Sequence, residues 1–116
     1  GITVAVAKDR AIESFMQVGE GFVVNILRED NYQKMFRHFL KRFAPGADRF
    51  ADVDVVNNIA TGGPVLSDSL AFLDCKVSSR LETPDHWIIY GVVENGSVSD
   101  LSCKTAVHHR KVANHY

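Results

Sequence analysis

Apolar positions along this chain follow two periods. Ile2, Val4 and Val6 alternate with Thr3, Ala5 and Ala7, a β-branched, period-two pattern that predicts a strand over 2–7. Asp9 then offers an N-cap, Ala11, Ile12, Phe15 and Met16 recur at helical spacing, and Gly19 offers a C′ stop, so a helix is predicted near 9–18. Gly21 leads into a second strand over 22–27. Phe22, Val24 and Ile26 share one of its faces, and Val23, Asn25 and Leu27 the other. Asp30-x-x-Gln33 has the form of a capping box. Behind it Tyr32, Met35, Phe36, Phe39, Leu40 and Phe43 fall on one face of a helix predicted near 30–43, with Lys34, Arg37, His38, Lys41 and Arg42 on the solvated side. Pro45-Gly46 ends it.

Residues 44–63 read as a long loop. A long hairpin comes next, with one arm from Leu70 to Leu81, a turn at Thr83-Pro84-Asp85, and a second arm from Trp87 to Val93. Asn95-Gly96 is a tight-turn signal. Val98 and Leu101 mark a short strand or loop, and 105–109 a last strand. The resulting order, β-α-β-α-β-β-β, predicts a mainly β (α+β) fold. Its sheet or barrel is mostly antiparallel with two helices packed at the edge, not a doubly wound parallel sheet.

Composition narrows the function. At 116 residues, 46% apolar and 23% charged, the chain is one ordinary globular domain spanning 1–116. A net charge of −1 gives no field that favours nucleic acid. No apolar run approaches the ~20 residues of a membrane span, and no signal peptide is visible, so a cytoplasmic setting is expected. The two cysteines form no CxxC motif, and Cys75 reads as a core residue. The first residues read as a strand already under way, which predicts a fragment of a longer protein or a domain cut inside its own sheet.

Three places carry candidate chemistry. Asn25 is a lone carboxamide in an apolar strand, and a buried carboxamide needs partners. Lys8-Asp9-Arg10 lies where a strand meets a helix start, which suits a phosphate as well as a plain N-cap between exposed cations. The tail, with His108, His109, Arg110 and His115, gathers aromatic and cationic groups with no evident folding motive. Adjacent histidines on a strand point to opposite faces, and no HExxH motif or carboxylate cluster is present, so no metal site is expected. No catalytic acid, base or nucleophile can be assembled. The residues suit the holding of a redox cofactor, which would itself supply the chemistry.

The ordered motifs of the chain resemble those of the flavin reductase-like family, the FMN-binding split barrels. Ala7-Lys8 and Gly21-Phe-Val-Val-Asn-Ile-Leu27 are similar to that family's first strand end and its F-V-V-N-x-L strand. Asp48-Arg-Phe50, Gly63-Pro-Val-Leu66, Ala71-Phe-Leu-Asp-Cys75 and Asp85-His-Trp-Ile-Ile-Tyr-Gly-Val-Val93 resemble its later segments. Ala7 to Glu13, His38 to Phe50 and Thr105-Ala-Val-His-His-Arg-Lys111 resemble most the C-terminal flavin reductase domain of cyanobacterial flavodiiron (diflavin flavoprotein) proteins. Two departures stand out. The family's first strands, with the small-residue loop that helps hold the FMN phosphate, would lie before Gly1, so the resemblance implies a domain truncated at its N-terminus with its first strands missing. Ile12 stands where many members carry Thr four residues after the Lys.

The resemblance implies a Greek-key-like split β-barrel that binds FMN as a homodimer. It would take electrons from NAD(P)H and pass them toward oxygen reduction by the diiron part of a larger protein that also contains a flavodoxin-like domain. It implies Lys8 and Arg10 as phosphate partners and Asn25 at the polar edge of the flavin ring. His108, His109 and Arg110 would line the flavin site or the dimer contact. Two alternatives remain: a non-catalytic dimerisation or docking module without effective flavin binding, and a stand-alone NAD(P)H:flavin reductase.

Overall fold

The period-two segments become the strands of a single antiparallel sheet. The computed structural model describes residues 1–107 apart from Arg42, Pro45 and Asn58. In chain order it places β1 (Ile2–Ala7), a 3-10 helix (Ala11–Phe15), β2 (Gly21–Ile26), α1 (Tyr32–Leu40), β3 (Ala71–Glu82) and β4 (His86–Val98). The strand order is β1-β4-β3-β2, with every neighbouring pair antiparallel.

The two faces of the sheet bury different things. Met16, Phe22, Cys75, Val77 and Ile89 form the main core on one face, joined by Ile2, Val4, Val6, Val24, Leu73, Trp87 and Val93. Gly91 makes room for it, since a Cβ there would lie 2.6 Å from Cζ of Phe22. Phe72 points to the opposite face, because side chains alternate along β3. There the segment before β3 brings in the buried Val65, Leu66 and Leu70. Val55 and Leu66 form an isolated bridge, and Leu70 N–H donates to the Ile26 carbonyl at 2.8 Å.

Two irregularities in the β3–β4 ladder redirect side chains. Cys75 pairs with Val93 and Asp74 with Asn95, leaving Glu94 over. Val77 pairs with Gly91 and Ser79 with Tyr90, leaving Ser78 over. An extra residue bends a strand and reverses the facing of the residues beyond it. After Val77, strict alternation would turn Ser79 and Leu81 inward. The bulge instead turns Arg80 inward beside Ile89 and leaves Leu81 66% exposed.

Several expectations are corrected. The first helix is not a helix over 9–18 but a five-residue 3-10 turn, capped by the backbone of Arg10 and not by Asp9. Gly19 does take a left-handed φ of 90°, after that turn has ended. The capping box at Asp30 does not form. Asn31 is the N-cap, the Asp30 carboxylate pairs with Arg28 at 3.1 Å, and Gln33 accepts from Arg37. The helix stops at Leu40 and not near 43, and Leu40 is exposed while Met35 is buried. Asn95-Gly96 makes no turn. Both residues lie in β4, where Gly96 pairs with Leu73 and a Cβ would sit 2.7 Å from the Phe72 carbonyl oxygen. The described part of the last expected strand forms one bridge, Arg28 with Thr105, and its end at His108 and His109 lies outside the described residues.

Ile89 has 0% exposure at the centre of the main core. Ile89→Ala is expected to destabilise the fold by about 2–5 kcal/mol. Leu101→Ala, at a position 92% exposed, should stay within about 0.5 kcal/mol. Urea midpoints at unchanged slope would check both.

Candidate functional site

The Lys8 corner is built by the ends of three strands. As β1 ends, Lys8 N–H donates to the Asp85 carbonyl in the β3–β4 turn at 3.1 Å, and Arg10 N–H returns to the Ala7 carbonyl at 3.1 Å. This tight turn presents Lys8-Asp9-Arg10 at the end of the sheet. Lys8 Nζ lies 3.2 Å from Glu82 Oε1 and 5.5 Å from the centroid of the Trp87 ring. Arg10 makes only a 3.8 Å pair with Asp9, and its side chain is 74% exposed. Solvent-exposed pairs of this kind hold about 0–1 kcal/mol, so either cation can turn to an incoming anion at little cost. The short 3-10 turn has little dipole to add, and the two side-chain charges carry the attraction.

Behind these cations sits a largely buried one. Arg80, turned inward by the bulge, pairs with Glu13 and donates to Gln17, both from the segment after Arg10. Its guanidinium carbon lies 4.1 Å from the centroid of the Trp87 ring, and its side chain is 10% exposed. Its Nε is buried with no hydrogen-bond partner.

Both ends of the Asn25 carboxamide are engaged. Its Nδ2 donates to the Pro64 carbonyl at 3.0 Å, and its Oδ1 accepts from Leu66 N–H at 2.9 Å. The carboxamide thus imitates a stretch of β-ladder and stitches the 62–66 segment onto β2. Asp74 extends the stitching by accepting from Gly62 N–H at 2.9 Å. The backbones meet closely, since a Cβ on Gly62 would lie 2.6 Å from the Gly21 Cα. Each amide group keeps a second hydrogen or lone pair for another partner.

The structure brings Lys8 and Arg10 together and sets Asn25 apart from them. Ala7 pairs with His86 at the start of β4, while Asn25 pairs through Phe72 with Ser97 near its end. The path between them along β4 is on the order of 35 Å of strand at about 3.3 Å per residue. His108, His109 and Arg110 lie outside the described residues. Sequence reasoning missed Arg80, Trp87 and Asp74. The Gly62-Gly63-Pro64 run signals a close approach of backbone, but nothing local signals that Arg80 is buried.

The remaining groups are quieter. Burial pushes the Cys75 thiol up, so it stays protonated at neutral pH and behaves as a core side chain. A cleft of about 880 Å³ lies along α1 and holds none of the predicted site residues. Its walls mix Lys34, Arg37 and Lys41 with Asp52 and Asp68. Among the described residues no group of three or more His, Cys, Asp or Glu is placed to hold a metal, and no helix is long and apolar enough to cross a membrane.

Comparisons with known proteins agree with this architecture. The family model of the flavin reductase like domain matches residues 1–115. The chain is 61% identical over 116 residues to Diflavin flavoprotein A 1 of Synechocystis sp. (strain ATCC 27184 / PCC 6803 / Kazusa), covering all of this chain and 20% of the relative. It is 58% identical, with the same coverage, to Putative diflavin flavoprotein A 1 of Thermosynechococcus vestitus. The chain therefore spans about one fifth of the length of the curated relatives it matches. Its fold superposes on the Streptomyces globisporus C-1027 NADH:FAD oxidoreductase SgcE6 with a TM-score of 0.77 at 27% identity, over 89% of this chain and 60% of that one. The same oxidoreductase in complex with NAD and FAD fragments gives 0.74 at 25% identity, over 89% and 59%.

Asn25→Ala leaves Leu66 N–H and the Pro64 carbonyl without their partner. The expected cost is about 1–3 kcal/mol of stability. Faster hydrogen exchange at the Leu66 amide, with the β3–β4 amides unchanged, would check that the stitching is local.

Proposed function

This chain belongs to the flavin reductase-like family, and we propose that it is an FMN-binding redox domain. It passes electrons from NAD(P)H toward oxygen reduction by the diiron part of a larger flavodiiron protein. Two comparisons of different kinds support the reading together. The family model covers nearly the whole sequence, and the fold superposes on an oxidoreductase whose solved complex contains NAD and FAD fragments. Bound flavin supplies hydride acceptance and onward electron transfer; the protein's part is to hold and orient it.

The residues fit the phosphate end of such a ligand. Lys8 and Arg10 provide two cations at one corner, weakly paired and accessible. We assign them to the FMN phosphate. Asn25 lies at the other end of the sheet, farther along the strand than one FMN molecule reaches from these cations, so the flavin ring is not assigned to it; it holds the 62–66 segment. His108, His109 and Arg110 are assigned to the ring or to the contact between two copies. A homodimer is part of the proposal. Among the described residues β1 is paired on one side only, with β4, and an open strand edge presents N–H and C=O groups that another chain can satisfy.

Replacing Lys8 and Arg10 together by Ala should weaken FMN binding by the intact protein at least about tenfold, since each charge-assisted phosphate bond contributes roughly 1.5–3 kcal/mol. Riboflavin, which lacks the phosphate, should bind both forms alike. An equal fall for the two ligands would remove the cations from the phosphate site. An intact protein that takes up no FMN at high concentration would instead point to the docking module. Light scattering should report a dimer at tens of micromolar, and a monomer there would count against the assembly.

A further inference from the structure

We propose that Arg80 and Trp87 are positioning residues for the phosphate-binding cations, with Arg80 as the clamp and the Trp87 indole as the platform. The inference rests on the assignment of Lys8 and Arg10 to the phosphate.

The segment between β1 and β2 is tied to the sheet at both ends. Lys8 N–H holds it to Asp85 at the start, and Gly19 N–H and the Glu20 carbonyl bond Val77 at the finish, each at 2.9 Å. Between those points Met16 is its only buried apolar side chain, while Ile12, Phe15 and Val18 are exposed. A short 3-10 turn has little stability of its own. Arg80 supplies the missing hold, because one guanidinium reaches Glu13 within the turn and Gln17 just after it.

The same indole lies under two cations, with Arg80 at 4.1 Å and Lys8 at 5.5 Å from its centroid. Trp87 thereby links the clamp to the proposed ligand residue. The geometry also accounts for the bulge at Ser78, which carries Arg80 to the inner face. Arg80 meets no proposed ligand itself. It is largely buried and already bonded at both terminal nitrogens, and its orphaned Nε is tolerated at a place where an apolar residue would otherwise fill the core more cheaply. An unsatisfied donor retained in the core is explained by the groups that the other two nitrogens hold.

The test compares Arg80→Met with the double variant Glu13→Ala, Gln17→Ala in the intact protein. The double variant leaves the sheet residues in place but strands the Arg80 charge, so Gln17→Ala alone, which removes one anchor and leaves the Glu13 pair, keeps the test decisive if either of the others fails to fold. FMN affinity should fall about tenfold, or about 1.4 kcal/mol, and riboflavin affinity less than about twofold. Amide exchange over 9–17 should quicken while the β3 and β4 amides keep their protection. An unchanged FMN-to-riboflavin ratio in a variant whose 9–17 amides do quicken overturns the positioning role. If Lys8→Ala with Arg10→Ala still lowers that ratio, only the clamp has failed. If that pair also leaves it unchanged, the phosphate assignment has failed and the clamp falls with it. Equal losses for both ligands would make Arg80 a purely structural residue and overturn the proposal.

Discussion

Eleven residue pairs of antiparallel ladder join β3 to β4, and each of the other strands is attached to one arm of that hairpin. β1 pairs only with β4, and β2 only with β3. The hairpin turn receives Lys8 through Asp85, and the far end of the hairpin receives Asn25 through Phe72. Long-range strand pairing of this kind is entropically expensive to begin. A long hairpin with a short turn is the cheapest way to start it, because its loop is short. The cation corner and the segment that Asn25 holds are therefore at the two ends of one ladder, and its bulges decide which side chains each end presents.

Much of this fold is legible in the chain. Alternation marks β1, β2 and both arms of the hairpin, because a half-buried strand must place apolar side chains on alternate positions. The stripe around Met35 marks α1. Errors fall where local signals compete with tertiary contacts. Asp30 fits a capping box, yet Arg28 is two residues away and takes its carboxylate. Asn95-Gly96 fits a turn, yet the glycine is required where β4 passes close to the backbone of Phe72. The apolar positions after Asp9 fit a helix, yet only Met16 among them finds a core to enter.

Site residues are readable to a different degree. Lys8 and Arg10 stand out because a strand end followed by paired cations is a pattern in sequence. Asn25 stands out as polar among apolar neighbours, but its partners, Pro64 and Leu66, are about forty residues away and cannot be named from the strand alone. Arg80 is invisible. Its inward facing depends on a one-residue shift between Val77 and Ser79 that no side chain announces. The sequence pattern there suggests Leu81 for the core, and the bulge exchanges the two.

The protein is in this view a scaffold: a rigid hairpin, two weakly held cations at one end, a stitched segment at the other, and no side chain assigned as acid or base. The central claim is that bound flavin is reduced by a nicotinamide nucleotide on this scaffold. The direct measurement is anaerobic addition of NADH, and separately NADPH, to the intact protein loaded with FMN, with the flavin absorbance band monitored. The band should bleach with at least one of the two. A band that persists with both, in protein that holds FMN and is bleached by dithionite, would contradict the claim.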